Sequence, residues 1–171
     1  MGLEKDGCLT LEELATLPGM PSRERLEHGP VAVVECGQEI PCNPCEEACR
    51  TGAIRVGEDI TDLPVLDEDK CTGCGLCIAA CPGQAIFVLD MTYAEGEGTV
   101  QMPYEFLPLP EKGMEVDGLD REGKVVCRGR VLKVLNPKKY DRTAVVTVGV
   151  PKDCAMQVRN IRVKGRDNGD E

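Results

Sequence analysis

Short apolar runs separated by turn residues dominate this chain, a pattern of strands more than of helices. Val31–Val34 (VAVV) is a compact β-prone run, and Ile54–Val56, Val65-Leu66 and Ile86–Leu89 are three shorter ones. Beyond residue 112 the runs lengthen. Val125–Leu135 is β-prone, with Gly129 a candidate bulge; TAVVTVGV over 143–150 reads as a second strand; QVRNIRVK over 157–164 alternates polar and apolar as a third. Turn signals at Asn136-Pro137 and Pro151-Lys152-Asp153 separate them. Helical signals are few. Thr10-Leu11-Glu12-Glu13 fits a capping box, which predicts a short helix over about residues 11–17, closed by Pro18-Gly19. Such a helix is too short to stand alone and must pack on the rest of the chain or on a partner.

These runs divide the chain into five parts. Residues 1–30 form an N-terminal extension with the short helix, and 31–90 form a core of short strands and helices. Residues 91–111 hold Gly96, Gly98, Pro103, Pro108 and Pro110, and are expected to be an extended strap held by Tyr104, Phe106, Leu107 and Leu109. Residues 112–165 are expected to be a small antiparallel β module, marginal in length and so leaning on the core or a partner. A disordered tail is expected over 166–171. The fold class is therefore α+β.

The chemistry lies in the cysteines. Of eleven, eight fall in two runs. The second run, CTGCGLCIAACP, places Cys71, Cys74, Cys77 and Cys81 at spacings x2, x2 and x3 with Pro82 following, the bacterial run that holds a [4Fe–4S] cluster. Two residues between cysteines let one tight loop wrap three corners of a cubane, and Gly73 and Gly75 let the backbone approach closely. The first run, CGQEIPCNPCEEAC, places Cys36, Cys42, Cys45 and Cys49 at x5, x2 and x3. The leftover Cys8, Cys127 and Cys154 are far apart in sequence and read as partly buried free thiols. Structural zinc is the main rival for the CxxC pairs, but a four-ligand site has no use for further cysteines at x2 and x3. His28, the only histidine, reads as a surface residue beside Gly29-Pro30.

On these motifs, residues 31–90 resemble a bacterial-type two-cluster ferredoxin, a fold with an internal pseudo-two-fold. The repeat shows as Cys49-Arg-Thr-Gly-Ala-Ile54 against Cys81-Pro-Gly-Gln-Ala-Ile86. The resemblance implies two [4Fe–4S] clusters with exchanged ligands: Cys36, Cys42, Cys45 and Cys81 on one, and Cys71, Cys74, Cys77 and Cys49 on the other. The chain departs from the family in the five residues after Cys36, Pro41 among them, and in Arg50 where a proline is usual. Arg50 is a cation expected beside an anionic cluster. VECGQEIPCNPCEEACRTGAI also resembles the small iron–sulfur subunits that accompany flavoprotein dehydrogenases of the sarcosine, opine or hydroxyproline kind. That resemblance implies an electron-transfer subunit relaying single electrons to or from a flavoprotein partner.

Composition and charge narrow the class further. Aromatics are only 3% of the chain, as expected where cofactors fill the centre. Residues 1–98 carry 19 acidic and 6 basic side chains, net −13, and residues 99–171 carry 11 acidic and 14 basic, net +3. The cluster-bearing part is thus the acidic part, suited to a basic docking surface. A nucleic-acid partner is not expected, because the basic excess downstream is slight and lacks aromatic platforms. No run of 18 apolar residues exists, so no membrane span is expected. With eleven thiols and no secretory segment, a cytoplasmic setting is expected.

No GxGxxG or Gly-rich phosphate loop is present, and no nucleophile–base pair stands out. The Cys-x3-Cys-x2-Cys pattern of S-adenosylmethionine radical enzymes fails at Gly52 and Gln84. No catalytic residue of its own is therefore assigned to the chain. A freely diffusing ferredoxin and a metal-braced, non-redox binding or sensing module are the alternatives to the subunit reading. If the parts are separable, residues 31–98 alone hold both clusters.

Overall fold

The computed structural model describes residues 2–163, so the expected tail over 166–171 lies outside the described residues. Three one-turn helices open the chain: α1 (Leu3–Asp6), α2 (Leu11–Leu14) and α3 (Arg23–Leu26). The Thr10 hydroxyl accepts from the Glu13 amide while the Glu13 carboxylate accepts from the Thr10 amide, a complete capping box. Then follow β1 (Val31–Val34), α4 (Pro44–Ala48), β2 (Ile54–Arg55), β3 (Val65–Leu66) and α5 (Leu76–Ala80). The remainder is β4 (Ile86–Ala94), β5 (Glu97–Tyr104), β6 (Glu115–Leu119), β7 (Val125–Leu135), β8 (Ala144–Pro151) and β9 (Asn160–Val163).

Seven of these strands form one antiparallel sheet in the order β1-β4-β5-β8-β7-β6-β9, and β2 and β3 form a separate pair. The C-terminal strands therefore continue the sheet begun by β1 and β4. The passage over 91–111 is largely not a strap. Its first part completes β4, and Glu97–Tyr104 is the central strand β5, paired with both β4 and β8. Two breaker residues hide this. Gly96 sits at φ +74 in the turn between β4 and β5. Pro103 falls past Gln101, the last β5 residue paired with β4, where β5 has a neighbour only on the β8 side. A residue without an N–H is tolerated at such an edge. A fragment ending at residue 98 would cut β5 after its second residue.

Gly129 is not a bulge either. The register slips at Leu132, between Val131–Val148 and Lys133–Thr147, whereas Gly129 permits close strand approach. A side-chain carbon there would lie 2.8 Å from the Gly149 carbonyl oxygen.

The β1–β4 ladder runs from Val31–Leu89 to Val34–Ile86 and is buried on both faces. Alternation along it separates two cores. Val33, Phe87 and Leu89 join Val100, Met102, Val131 and Val148 within the sheet's own core. Ala32, Val34, Ile86 and Val88 face Cys45, Cys77, Ile54 and Ile78. Each fully buried aliphatic side chain here contributes roughly 1.5–3 kcal/mol. The N-terminal segment closes the outer side of β1. The Val34 amide donates to the Gly19 carbonyl at 3.0 Å, and the Leu66 amide of β3 donates to the Pro18 carbonyl at 3.0 Å.

A buried charge group ties the end of β1 to the far strands. Arg121 Nε donates to Glu35 Oε2 at 2.8 Å, and Arg159 Nε donates to Glu35 Oε1 at 2.7 Å. The Arg159 guanidinium lies 4.7 Å from the centre of the Phe87 ring and is 7% exposed, and its Nη2 has no hydrogen-bond partner among the described residues. Burial, followed by the Glu35 carboxylate acting upward and Arg121 acting downward, leaves Arg159 at about 10, below its ordinary value.

These contacts set the expected cost of three substitutions. Met102→Ala, at a position with no exposure, should cost about 2–5 kcal/mol. Leu107→Ala, at 82% exposure, should cost less than about 0.5 kcal/mol in the same anaerobic denaturant titration. Glu35→Gln should cost about 3–5 kcal/mol, because the buried Arg159 and the half-buried Arg121 lose the carboxylate they share. A loss under about 1 kcal/mol would show that the group is solvated in solution.

Candidate iron–sulfur centres

Two five-residue helices place the cysteines. Cys45 lies in the first turn of α4 and Cys77 in that of α5. Four residues on, Cys49 and Cys81 would share the same helix faces if the helices continued. They do not continue. Cys49 (φ −82, ψ 97) and Cys81 (φ −78, ψ 111) are extended end residues, closed by Cys49 N–H to Glu46 O and Cys81 N–H to Cys77 O. The chain after each last cysteine is thereby turned away from the helix that carries it.

The result is two separate cavities. One is lined by Cys36, Cys42, Cys45 and Cys81, with Val34, Ile40 and Ile86. The other is lined by Cys49, Cys71, Cys74 and Cys77, with Ala32, Ile54 and Val88. The spaces between side chains are similar, about 380 and about 320 Å3, partly open to solvent. All eight cysteines singled out in the sequence thus line a cavity, Cys36 included. The five residues after Cys36 form the loop that accommodates it, anchored where Cys42 N–H meets Ile60 O at 3.2 Å. Gly73 and Gly75 take φ +64 and +75, and a side chain at Gly73 would come within 2.5 Å of Pro30.

Backbone amides point at the sulfurs with the repeat's symmetry. Ala53 N–H donates to Cys49 Sγ at 3.2 Å and Ala85 N–H to Cys81 Sγ at 3.4 Å, each from four residues on. Ala32 N–H of β1 donates to Cys71 Sγ at 3.3 Å. The symmetry breaks at Thr51, whose hydroxyl is 3.6 Å from Cys49 Sγ, since the matching residue after Cys81 is Gly83.

The thiols report the same grouping. Burial pushes Cys45 up to about 11, with Cys81 and Cys42 adding like-charge repulsion. Burial pushes Cys77 up to about 12, with Cys71, Cys74 and Cys49 adding to it. Cys36 is raised by burial and by Cys81 and Cys42. At Cys49 burial also acts upward, but Thr51 and the amides of residues 51, 53 and 54 outweigh it, so this thiol lies below its ordinary value. Four close thiols in an apolar setting lose their protons together only when a cation compensates them.

The donor set fits an iron–sulfur cluster. Four thiolates are a soft set, suited to zinc or to iron with sulfide. Among the described residues, no three His, Cys, Asp or Glu side chains gather tightly enough for a single ion. A mononuclear zinc site needs four sulfurs converging at about 2.3 Å from one point, whereas a cluster takes one thiolate per iron at spread corners.

Several contributors carry no sequence signal. Arg25 donates Nε to the Glu68 carbonyl at 3.0 Å, and Nη2 to those of Pro30 at 3.0 Å and Cys71 at 2.8 Å. Its fixed positive charge stands behind the second cavity. Only the tertiary course of residues 68–71 past α3 reveals it. Glu35 immediately precedes Cys36, and its amide donates to Ala85 O at 2.8 Å, so the arginine-held carboxylate stands behind the first cavity. Arg50 is exposed.

Comparison with known proteins gives the same class. The family model described as "4Fe-4S dicluster domain" matches residues 40–102. A component of an ion-translocating oxidoreductase complex of Methanosarcina acetivorans is 49% identical over 55 residues, covering 32% of this chain and 19% of that protein. A polyferredoxin-like component of an aliphatic sulfonate oxidoreductase from Pyrococcus furiosus is 44% identical over 55 residues, covering 32% and 29%. One of the subunits of selenate reductase from Mesobacillus selenatarsenatis is 34% identical over 105 residues, covering 61% and 32%. The chain thus spans about a third or less of these relatives. No solved structure matches. No helix among the described residues is long and apolar enough to cross a membrane. Motif and comparisons agree that residues 40–102 are similar to ferredoxin-type 4Fe–4S dicluster domains.

Proposed function

We propose that this chain is the electron-transfer subunit of an oxidoreductase complex. In this reading it holds two [4Fe–4S] clusters, one on Cys36, Cys42, Cys45 and Cys81 and the other on Cys49, Cys71, Cys74 and Cys77. The observation that carries it is the pair of cavities, each lined by four cysteines, with one of each four supplied by the opposite run. When bound, the clusters supply one-electron storage. The chain's own residues hold the thiolates, donate N–H and O–H groups to sulfur, and exclude water with Val34, Ile54, Ile86 and Val88. Hydrogen bonds and nearby cations favour the more reduced, more negative state, and the surrounding carboxylates oppose it.

The partner in this proposal is a flavoprotein dehydrogenase, met through the acidic cluster-bearing part. The net −13 of residues 1–98 supports docking on a basic surface. The names of the relatives above support the subunit role, and the stretch 34–54 supports the amine and amino-acid class of dehydrogenase. No side chain of this protein takes part in substrate chemistry in this reading.

Iron and acid-labile sulfide content, with EPR after dithionite reduction, tests the proposal directly. About eight irons per chain and a spin-coupled spectrum are expected. About four irons would leave one cavity unused, and zinc in place of iron would overturn the redox role. A second test separates the two centres. Thr51→Val removes the hydroxyl beside Cys49 and should lower the potential of one cluster only. The expected shift is roughly 20–40 mV, taking about 0.5–1 kcal/mol for the hydrogen bond and about 59 mV per tenfold change for one electron. Equal shifts of both clusters in an EPR-monitored redox titration would contradict the assignment of Cys49.

A further inference from the structure

Three cysteines lie outside the two cavities, and the fold brings two of them together. Cys127 is on β7 and Cys154 ends the 3-10 turn Lys152–Cys154 that follows β8. Strands β7 and β8 are antiparallel with Arg130 opposite Gly149, so running β7 back to Cys127 brings it level with that turn. Cys154 Sγ lies 3.9 Å from the carbonyl oxygen of Val126, the residue before Cys127. The two thiols lie close enough that each perturbs the titration of the other. Beneath them, β6 presents Gly118 opposite Cys127, and a side chain there would reach within 2.9 Å of Cys127 Sγ. The absence of a side chain at Gly118 therefore makes the room that the Cys127 sulfur occupies.

We propose that Cys127 and Cys154 form a reversible dithiol–disulfide site, separate from the cysteine-lined cavities, that reacts with low-molecular-weight disulfides. Two cysteines brought side by side by a strand and the adjoining turn need little backbone movement to bond, and bonding joins β7 to the turn after β8. The Cys154 thiolate attacks one sulfur of the small disulfide, forming a mixed disulfide and releasing one small thiolate. The Cys127 thiolate then attacks Cys154 Sγ, forming the intramolecular S–S bond and releasing the second small thiolate. The two protons from the cysteines leave on the two released thiols. The protein pair is oxidised by two electrons and the small disulfide is reduced by two. Burial pushes Cys127 up to about 12, with Cys154 beside it adding to that. Cys154 is also raised, by burial and by Asp153. Both thiols are thus mostly protonated at neutral pH, and exchange should quicken as the solution becomes alkaline.

The test uses the full-length protein as isolated, equilibrated anaerobically in mixtures of glutathione and glutathione disulfide at about pH 8. Acid quenching, alkylation, tryptic digestion and mass spectrometry follow. The expected product is peptide Val125–Arg128 linked to Asp153–Arg159, its fraction rising with the oxidised share and lost with dithiothreitol. Cys127→Ser should accumulate a glutathione adduct on Cys154, and Cys154→Ser should give neither link nor adduct. The visible absorption of each variant, compared with that of the unsubstituted protein, reports whether the fold is kept. Absence of the link under full oxidising excess would overturn the proposal. So would linkage of either cysteine to Cys8 or to a cavity cysteine in its place.

Discussion

Where each five-residue helix stops decides what the backbone offers to the last sulfur of each run. Had α4 or α5 continued, the chain after Cys49 and Cys81 would run on along the helix axis with its amides bonded to carbonyls four residues back. The extended ψ at those two positions turns the chain out of the helix, while Cys49 and Cys81 themselves line the cavity opposite to that of Cys45 and Cys77. The two runs are therefore interlocked: neither cavity is complete on the residues of one run. Ala53 and Ala85 complete the device, since the chain that leaves each helix end returns an amide to the sulfur it has just placed.

The large sheet makes this arrangement rigid. β1 and β4 are the wall between the cysteine layer and the sheet core, and their alternation supplies both sides at once. Because β5 and β8 extend that wall, packing of the C-terminal half bears directly on the cavities. The Glu35 carboxylate, held by Arg121 and Arg159 from the far strands, is the polar counterpart of that continuity.

How much of this was readable in the chain depends on the range of the interaction responsible. Local chemistry was legible: the capping box at Thr10, the positive-φ glycines at 73 and 75, the strand VAVV and the cysteine spacings all act within a few residues. The cysteine grouping was legible only through family resemblance, because spacing does not show which cavity a sulfur enters. Gly96 and Pro103 masked β5, since breaker residues carry their usual meaning only when the strand's neighbours are unknown. β6 was missed because EVDGL is short and polar, and it is buried only by β7 and β9 beside it. Arg25 and the juxtaposition of Cys127 with Cys154 depend on long-range placement and had no signature at all.

The bridge made by Pro18 and Gly19 has a consequence of its own. Two adjacent carbonyls accept, respectively, from β3 of the small pair and from β1 of the large sheet. One peptide unit thus measures off the spacing between two sheets that share no strand, and Gly19 sits so close to Val34 that no side chain could be interposed. β3 carries the loop beside one cavity, and β1 donates to a sulfur of the other. The N-terminal residues therefore act as a ruler. The separation of the two cavities is set partly by a segment that contributes no cysteine to either.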